Sequence, residues 1–161
     1  MQLIPAGPED ISVIRSLAHR IWNAHYPDII GQEQVDYMLE KMYAGSSMLK
    51  QMEDGQQFYL VQGGGQPLGF VSVNDMGDGQ YFLNKFYIDA ERQRGGIGAQ
   101  TFHALLQHYP GLRQLRLQVN RQNYKAINFY FKMGFVIERV ADFDIGDGYY
   151  MNDFIMLYRR A

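Results

Sequence analysis

The chain contains no cysteine. Disulfides and thiolate metal sites are therefore excluded, as is any covalent intermediate carried on a cysteine. No long basic run is present and the net charge is only −2, so nucleic acid is a poor partner for this chain. No apolar run is long enough to span a bilayer. The opening residues, Met1-Gln2-Leu3-Ile4-Pro5, lack the charged and long apolar regions of a signal peptide, and a cytoplasmic location is expected by default. There are no internal repeats and no linker composition. The four histidines, at 19, 25, 103 and 108, do not make a metal set, because the pair at 103 and 108 stands five residues apart and does not share a helical face. No metal is predicted. At 161 residues, with 47% of them apolar and 14% aromatic, the chain suits a single domain, residues 1–161, with a proper core.

Read along its length, the sequence alternates helical and strand patterns. Residues 2–5 suit a short strand. Gly7-Pro8-Glu9-Asp10 suits a helix start, with proline in the first turn and acids at the dipole's positive end. Ile14, Leu17, Ala18, Ile21 and Trp22 then fall on one helical face, and Tyr26-Pro27 is expected to end that helix. A second helix is predicted over residues 32–43, with Val35, Met38, Leu39 and Met42 as its apolar stripe, and a shorter one over 47–53. Strands are expected at 58–61 and 68–73, joined by a turn at Gly63-Gly64-Gly65, and at 81–88 after a Gly/Asp turn over 75–79. A helix after residue 96 would bury Phe102, Leu105, Leu106 and Tyr109, with Pro110-Gly111 as its stop. A strand at 115–119 and a helix at 123–133 closed by Gly134 follow. Strands at 135–140 and 154–158 flank an acidic, tyrosine-rich loop. This order describes a mixed α/β sheet of about seven strands, mostly antiparallel, with helices on both faces.

The most informative segment is Ile88-Asp89-Ala90-Glu91-Arg92-Gln93-Arg94-Gly95-Gly96-Ile97-Gly98. It leaves an apolar strand, crosses a polar turn and enters an amphipathic helix. Glycines there let the backbone take φ values closed to other residues and approach a ligand closely. The first N–H groups of the helix point into the turn at the positive dipole end, an arrangement that binds phosphate. A tight βα connection with no ligand is the plain alternative. A nucleotide P-loop needs Lys followed by Ser or Thr after its last glycine; Gly98 is followed by Ala99 and Gln100. A dinucleotide fingerprint needs Gly or Ala where Thr101 stands, and an acid on the next strand, where Leu115-Arg116-Leu117-Gln118-Val119 has none. The pattern Gln/Arg-x-x-Gly-x-Gly/Ala is matched in full by residues 93–98.

That match resembles the pyrophosphate loop of the GNAT N-acetyltransferases, which bind acetyl-coenzyme A. The later block, from Asn120 through Asn123, Ala126, Phe129-Tyr130 and Gly134-Phe135, resembles the family's next motif in order and spacing. The resemblance runs over residues 3–159 and is most specific over 83–135. It implies that the backbone from Gln93 and Arg94 through Gly95, Gly96, Ile97, Gly98 and Ala99 holds the pyrophosphate. It also implies that the backbone of Phe86, Tyr87 and Ile88 pairs with the pantetheine amides, a strand addition by a ligand. Asn123 matches the family's asparagine as a cofactor-side hydrogen-bonder; a helix N-cap is the alternative, and both roles are compatible. Tyr130 matches the tyrosine that protonates the departing thiolate. Its spacing with Ala126, Phe129 and Met133 also fits plain core. With a phenol near ~10 and a thiol near ~8.5, the proton transfer is uphill by roughly 2 kcal/mol, which a buried site can offset.

Many relatives carry a glutamate on the strand before the glycine turn. Here Asn84 stands there, unable to take a proton but able to position a water. His25, Tyr26, Glu138 and Asp142 are other candidates for a general base, and none is assigned. The stretch containing Asp142, Asp144, Asp147, Tyr149, Tyr150 and Asp153 could cage a cation, or could be a solvated hairpin turn. Over this short stretch the chain resembles bacterial polyamine N-acetyltransferases. Trp22 and Tyr26, with Tyr37 and Met38, are candidates for a further acceptor wall, with simple core as the alternative. The expected activity is acetyl transfer from acetyl-coenzyme A to a primary amine by direct attack in a ternary complex. The expected acceptor is a small amine or polyamine, with a protein or peptide amino group next. A non-catalytic acyl-coenzyme A sensor is the rival reading, and a homodimer is a further expectation.

Overall fold

The computed structural model describes residues 1–89 and 95–161, and Gln93 and Arg94 lie outside the described residues. Seven strands are hydrogen-bonded in the order β1-β2-β3-β4-β5-β7-β6. The chain gathers into two compact units. Among the described residues no helix is long and apolar enough to cross a membrane.

The first unit comprises Met1–Asn74 and Asn84–Pro110. Strand β1 (Gln2–Ala6) pairs antiparallel with β2 (Gln57–Gly63), which pairs antiparallel with β3 (Gln66–Asp75). Gly64 and Gly65 form the two-residue turn between β2 and β3, both with positive φ, the handedness that matches strand twist. A 3-10 turn, Pro8–Asp10, leads into α1 (Ile11–His25), and the Asp10 carboxylate accepts the Gly7 N–H at 3.0 Å. The face Ile14, Leu17, Ala18, Ile21 and Trp22 is buried, as its spacing predicts. Tyr26-Pro27 ends α1 but does not end helical structure. Proline, free of any N–H to satisfy, starts the one-turn helix α2 (Pro27–Ile30). Helix α3 (Gln32–Tyr43) buries Val35, Met38, Leu39 and Tyr43, so Tyr43 takes the core place expected of Met42, which is half-buried. Helix α4 (Gly45–Glu53) follows, two residues longer at its start than expected. The residues of β4 (Gln80–Ile88) from Asn84 onward belong to this unit, as does α5 (Ile97–His108), which buries Thr101, Phe102, Leu105 and Leu106. Tyr109 lies just past α5, where its hydroxyl meets that of Tyr59 at 2.6 Å.

The second unit comprises Asp75–Leu83 and Gly111–Ala161. Here the start of β4 pairs parallel with β5 (Gln114–Asn120), from Gln80↔Gln114 to Phe82↔Arg116. Leu115, Leu117 and Val119 are buried and their neighbours are half-buried, the period of two that marks a strand. Helix α6 (Tyr124–Met133) is closed by Gly134 at φ +103°, and the Phe135 N–H returns to the Tyr130 carbonyl. Strands β6 (Val136–Gly146) and β7 (Tyr149–Arg159) pair antiparallel. The acidic loop expected between two short strands is thus a long hairpin. Its only connection is Asp147-Gly148, both residues at positive φ, which fits a tight hairpin turn. Aspartates at 142 and 144 alternate with Phe143 and Ile145, so the carboxylates occupy one face of a strand.

Candidate active site

Three parts of the first unit bear on function. The first is the glycine bend. Gly95 and Gly96 adopt left-handed φ values of +81° and +76°, and Gly96 is the N-cap residue of α5. A Cβ at either glycine would meet nothing within 4 Å among the described residues. The ladder of α5 begins with Gln100 N–H to Gly96 carbonyl, which leaves the N–H groups of Ile97, Gly98 and Ala99 outside it. These amides stand at the positive end of a three-turn helix with no side-chain cap. The described residues fit a pyrophosphate: aligned main-chain donors, an approach that no described residue obstructs, and no carboxylate cap among the described residues.

The second part is the end of β4. Phe86 and Tyr87 are half-buried and Ile88 is buried. The strand end is tied to β3 by the Asp89 N–H to Leu68 carbonyl bond at 2.8 Å, and Arg20 holds the Asp89 carboxylate at 2.8 Å. Asn84 donates its side-chain amide to the Asn74 side-chain oxygen at 2.7 Å. Next to it, Lys85 is only 3% exposed. Its Nζ donates to the side-chain oxygens of Gln51, at 2.6 Å, and Gln56, at 3.0 Å, and faces the rings of Tyr43 and Phe58. Burial pushes its ammonium down to about 8.

The third part is an aromatic cluster around that strand. The Trp22 ring packs 4.5 Å from Tyr26, 6.0 Å from Tyr43 and 5.7 Å from Tyr87, and Tyr87 also meets Phe70 at 5.5 Å. Trp22 and Tyr43 are buried, whereas Tyr26 and Tyr87 keep partial exposure. Trp22 therefore backs the cluster, and Tyr26 and Tyr87 supply the ring surface a ligand can reach. Tyr43 is enclosed completely, and burial is the main reason its phenol is raised well above its usual range.

In the second unit, Asn123 is 3% exposed and its side-chain oxygen accepts the Ala126 N–H at 3.4 Å, so the cap reading of this residue is realised. Tyr130 is 8% exposed, and its ring packs edge-on against Phe129 and Phe135. On the hairpin, Asp142, Asp144 and Tyr150 are exposed. Asp142 is paired with Arg121 at 2.9 Å. Glu138 is held by Arg116 through both carboxylate oxygens, at 2.9 and 3.0 Å. That bond is the largest cause holding its carboxyl below the usual range, so Glu138 is a poor proton acceptor.

Two further buried charged side chains are Lys85, not singled out from sequence, and Asp153, read there only as part of the acidic stretch. Asp153 is 1% exposed, and its Oδ2 has no hydrogen-bond partner among the described residues. A signal for it exists in the β7 pattern, where Asp153 occupies the register shared with the buried Ile155 and Leu157.

Residues 16–135 match the sequence profile described as the Acetyltransferase (GNAT) family. The chain is 24% identical over 137 residues to the spermidine N(1)-acetyltransferase of Thermoplasma acidophilum, covering 81% of this chain and 84% of that protein. It is 32% identical over 73 residues to the spermine/spermidine N(1)-acetyltransferase of Bacillus subtilis, covering 44% of this chain and 48% of that protein. Among solved structures, the PaiA N-acetyltransferase of T. acidophilum in complex with coenzyme A superposes with a TM-score of 0.77 at 21% identity, over 99% of this chain and 100% of that one. A GCN5-related N-acetyltransferase from Rhodopseudomonas palustris gives 0.79 at 19% identity, over 99% and 95%. At such identities the structural likeness speaks for the fold alone.

Proposed function

The chain belongs to the GNAT family of acetyltransferases, and from that membership we propose that it acetylates the primary amine of a small polyamine by direct attack with both substrates bound. The carrying observation is the glycine bend, in which two left-handed glycines open onto the first amides of α5, which stand outside its hydrogen-bond ladder. In this reading the main chain from Gln93 to Ala99 binds the pyrophosphate of acetyl-coenzyme A. The main chain of Phe86, Tyr87 and Ile88 holds the pantetheine arm as an added strand. The bound cofactor supplies an activated thioester carbonyl. A main-chain N–H at the end of β4 polarises that carbonyl in the manner of an oxyanion hole. Asn123 steadies the start of α6, and Tyr130 delivers a proton to the departing sulfur.

The polyamine class rests on two supports. Relatives named for spermidine and spermine acetylation align with the chain. The partly exposed rings of Tyr26 and Tyr87, backed by Trp22, offer π faces suited to an alkylammonium. On the hairpin of the second unit, the exposed Asp142, Asp144 and Tyr150 are themselves suited to a cationic group, with Arg121 already paired to Asp142. A cytoplasmic compartment fits this substrate.

The test is thiol release from acetyl-coenzyme A with a panel of spermidine, spermine, simple monoamines and a lysine peptide. Release fastest with the polyamines is the expected outcome. Peptide-dependent release alone would replace the acceptor class. Coenzyme A binding by calorimetry without release for any acceptor would favour a sensor, the reading to which Asn84, with no carboxylate on β4, gives some support.

A further inference from the structure

Lys85 is a charged side chain in a place that an apolar one would fill. It is buried, and no carboxylate among the described residues forms an ion pair with it. Taking a charge out of water is costly, and a well-packed apolar residue in such a place is often neutral or stabilising. What an apolar residue lacks is direction. The Lys85 ammonium donates to Gln51 Oε1 at 2.6 Å and to Gln56 Oε1 at 3.0 Å. Gln51 lies on α4, and its Nε2 donates to the Met42 carbonyl, near the end of α3, at 2.8 Å. Gln56 Oε1 also accepts the hydroxyl of Ser72, on β3, at 2.9 Å. One ammonium on β4 is thus linked to α4, through α4 to the end of α3, and through Gln56 to β3.

This network sits behind the aromatic cluster. Met42 is followed by Tyr43, and Lys85 Nζ lies 5.8 Å from the centre of the Tyr43 ring. The Tyr43 ring packs 6.0 Å from Trp22, which in turn backs Tyr26 and Tyr87. Tyr87 stands two residues after Lys85 on β4, so the two side chains share one face of the strand. The ring wall therefore has two sources: Tyr87 from β4, and Trp22 with Tyr26 from the end of α1. Tyr43 lies between the Lys85 ammonium and the second of these. All of these residues belong to the first unit.

We propose that Lys85 is a positioning residue for the acceptor: its ammonium fixes the α3–α4 segment, and through the Tyr43 ring the Trp22 and Tyr26 half of the wall, against Tyr87 on β4. This rests on the acceptor reading given above for those rings. Lys85 acts through its neighbours and needs no contact with a substrate. The strand itself does not depend on the tie, because β4 is hydrogen-bonded to β3 and the Asp89 N–H to Leu68 carbonyl bond holds its end. Loss of the ammonium shifts the rings and leaves the main chain offered to pantetheine in place.

The test measures thiol release with spermidine for wild type, Lys85→Met, Gln51→Met, the double variant and Tyr26→Leu. Lys85→Met raises KM for spermidine about fivefold, the scale of one misplaced cation–π contact, with a much smaller change in kcat. Coenzyme A affinity by calorimetry stays at the wild-type value. Gln51→Met, which removes the other end of the 2.6 Å bond, raises KM in the same way. The double variant goes no further than the larger single effect, as expected of two residues acting through one bond. A lower kcat at unchanged KM, the mark of a smaller folded fraction, overturns the proposal. Gln51→Met with the KM of wild type overturns it even where Lys85→Met fails to fold. Tyr26→Leu separates the two readings. If it raises KM while Lys85→Met and Gln51→Met do not, the tie falls and the acceptor wall stands. If it leaves KM unchanged, the wall falls and the tie with it.

Discussion

Gly69 lies against the main-chain carbonyl of Tyr87, so close that a Cβ on the glycine would overlap that oxygen and come within 2.9 Å of the Ile88 Cα. Glycine inside a strand often marks such an approach of another backbone. Backbone atoms cannot swing aside as a flexible side chain does, so β3 needs glycine here to lie against the end of β4. Gly69→Ala is expected to cost roughly 1–3 kcal/mol of stability, as overpacking does. Because Tyr87 and Ile88 are the residues proposed to pair with pantetheine, coenzyme A affinity should fall with it. Thermal unfolding and calorimetry on the same preparation check both effects.

Lys85 makes stability depend on pH. Its ordinary value is 10.5 and its folded value about 8. Below about 8 it is charged in both states, and the cost of burying that charge weighs fully against folding. Between about 8 and 10.5 the unfolded chain still holds a proton that the folded chain has released. Stability therefore rises with pH across that window, by up to about 3 kcal/mol from this residue, and levels above it. Denaturant unfolding at a series of pH values should show this rise in the wild type, and Lys85→Met should flatten it. Equal slopes in the two proteins would contradict the assignment.

Gly96 holds the mouth of the glycine bend at φ +76°. Gly96→Ala should weaken coenzyme A binding about tenfold, since left-handed backbone costs a side-chain-bearing residue roughly 1–2 kcal/mol. Far-UV dichroism should be unchanged, because α5 starts beyond it. Calorimetric affinity within twofold of wild type would remove the bend from the binding site.

Tyr130→Phe keeps the ring that packs on Phe129 and Phe135 and removes only the hydroxyl. A drop in kcat of about 100-fold or more, with coenzyme A affinity intact, is expected of a lost general acid. Unchanged turnover would return Tyr130 to a packing role.

Much of this molecule was readable from local chemistry. The glycine bend, the helix it opens, the Asn123 cap and the Gly134 stop depend on a few neighbouring residues, and each lies where the sequence put it. The long hairpin was not anticipated because its four carboxylates suggested solvent. The alternation of Asp142 and Asp144 with Phe143 and Ile145, ending at Asp147-Gly148, carries the strand signal that charge obscured. Helix α2 departs from the expected stop at Tyr26-Pro27 because proline, which ends one helix, also suits the first position of the next. Lys85 and Asp153 are a different matter. Both are charged residue types, and their enclosure comes from elements distant in sequence: Gln51 and Gln56 around Lys85, and β5 with β6 around Asp153. For Asp153 the register it shares with Ile155 and Leu157 reports the enclosure; its partners are not local.

The two glycine positions impose different kinds of restriction. At Gly69 the obstacle is crowding, so every added carbon should make matters worse. At Gly95 and Gly96 a first carbon would meet none of the described residues, and the obstacle is chirality. For unbranched replacements the penalty there should plateau at the first carbon, with asparagine, the residue most tolerant of mirror-image backbone, the mildest change. A substitution series at these sites would thus separate a shape constraint from a handedness constraint within one protein.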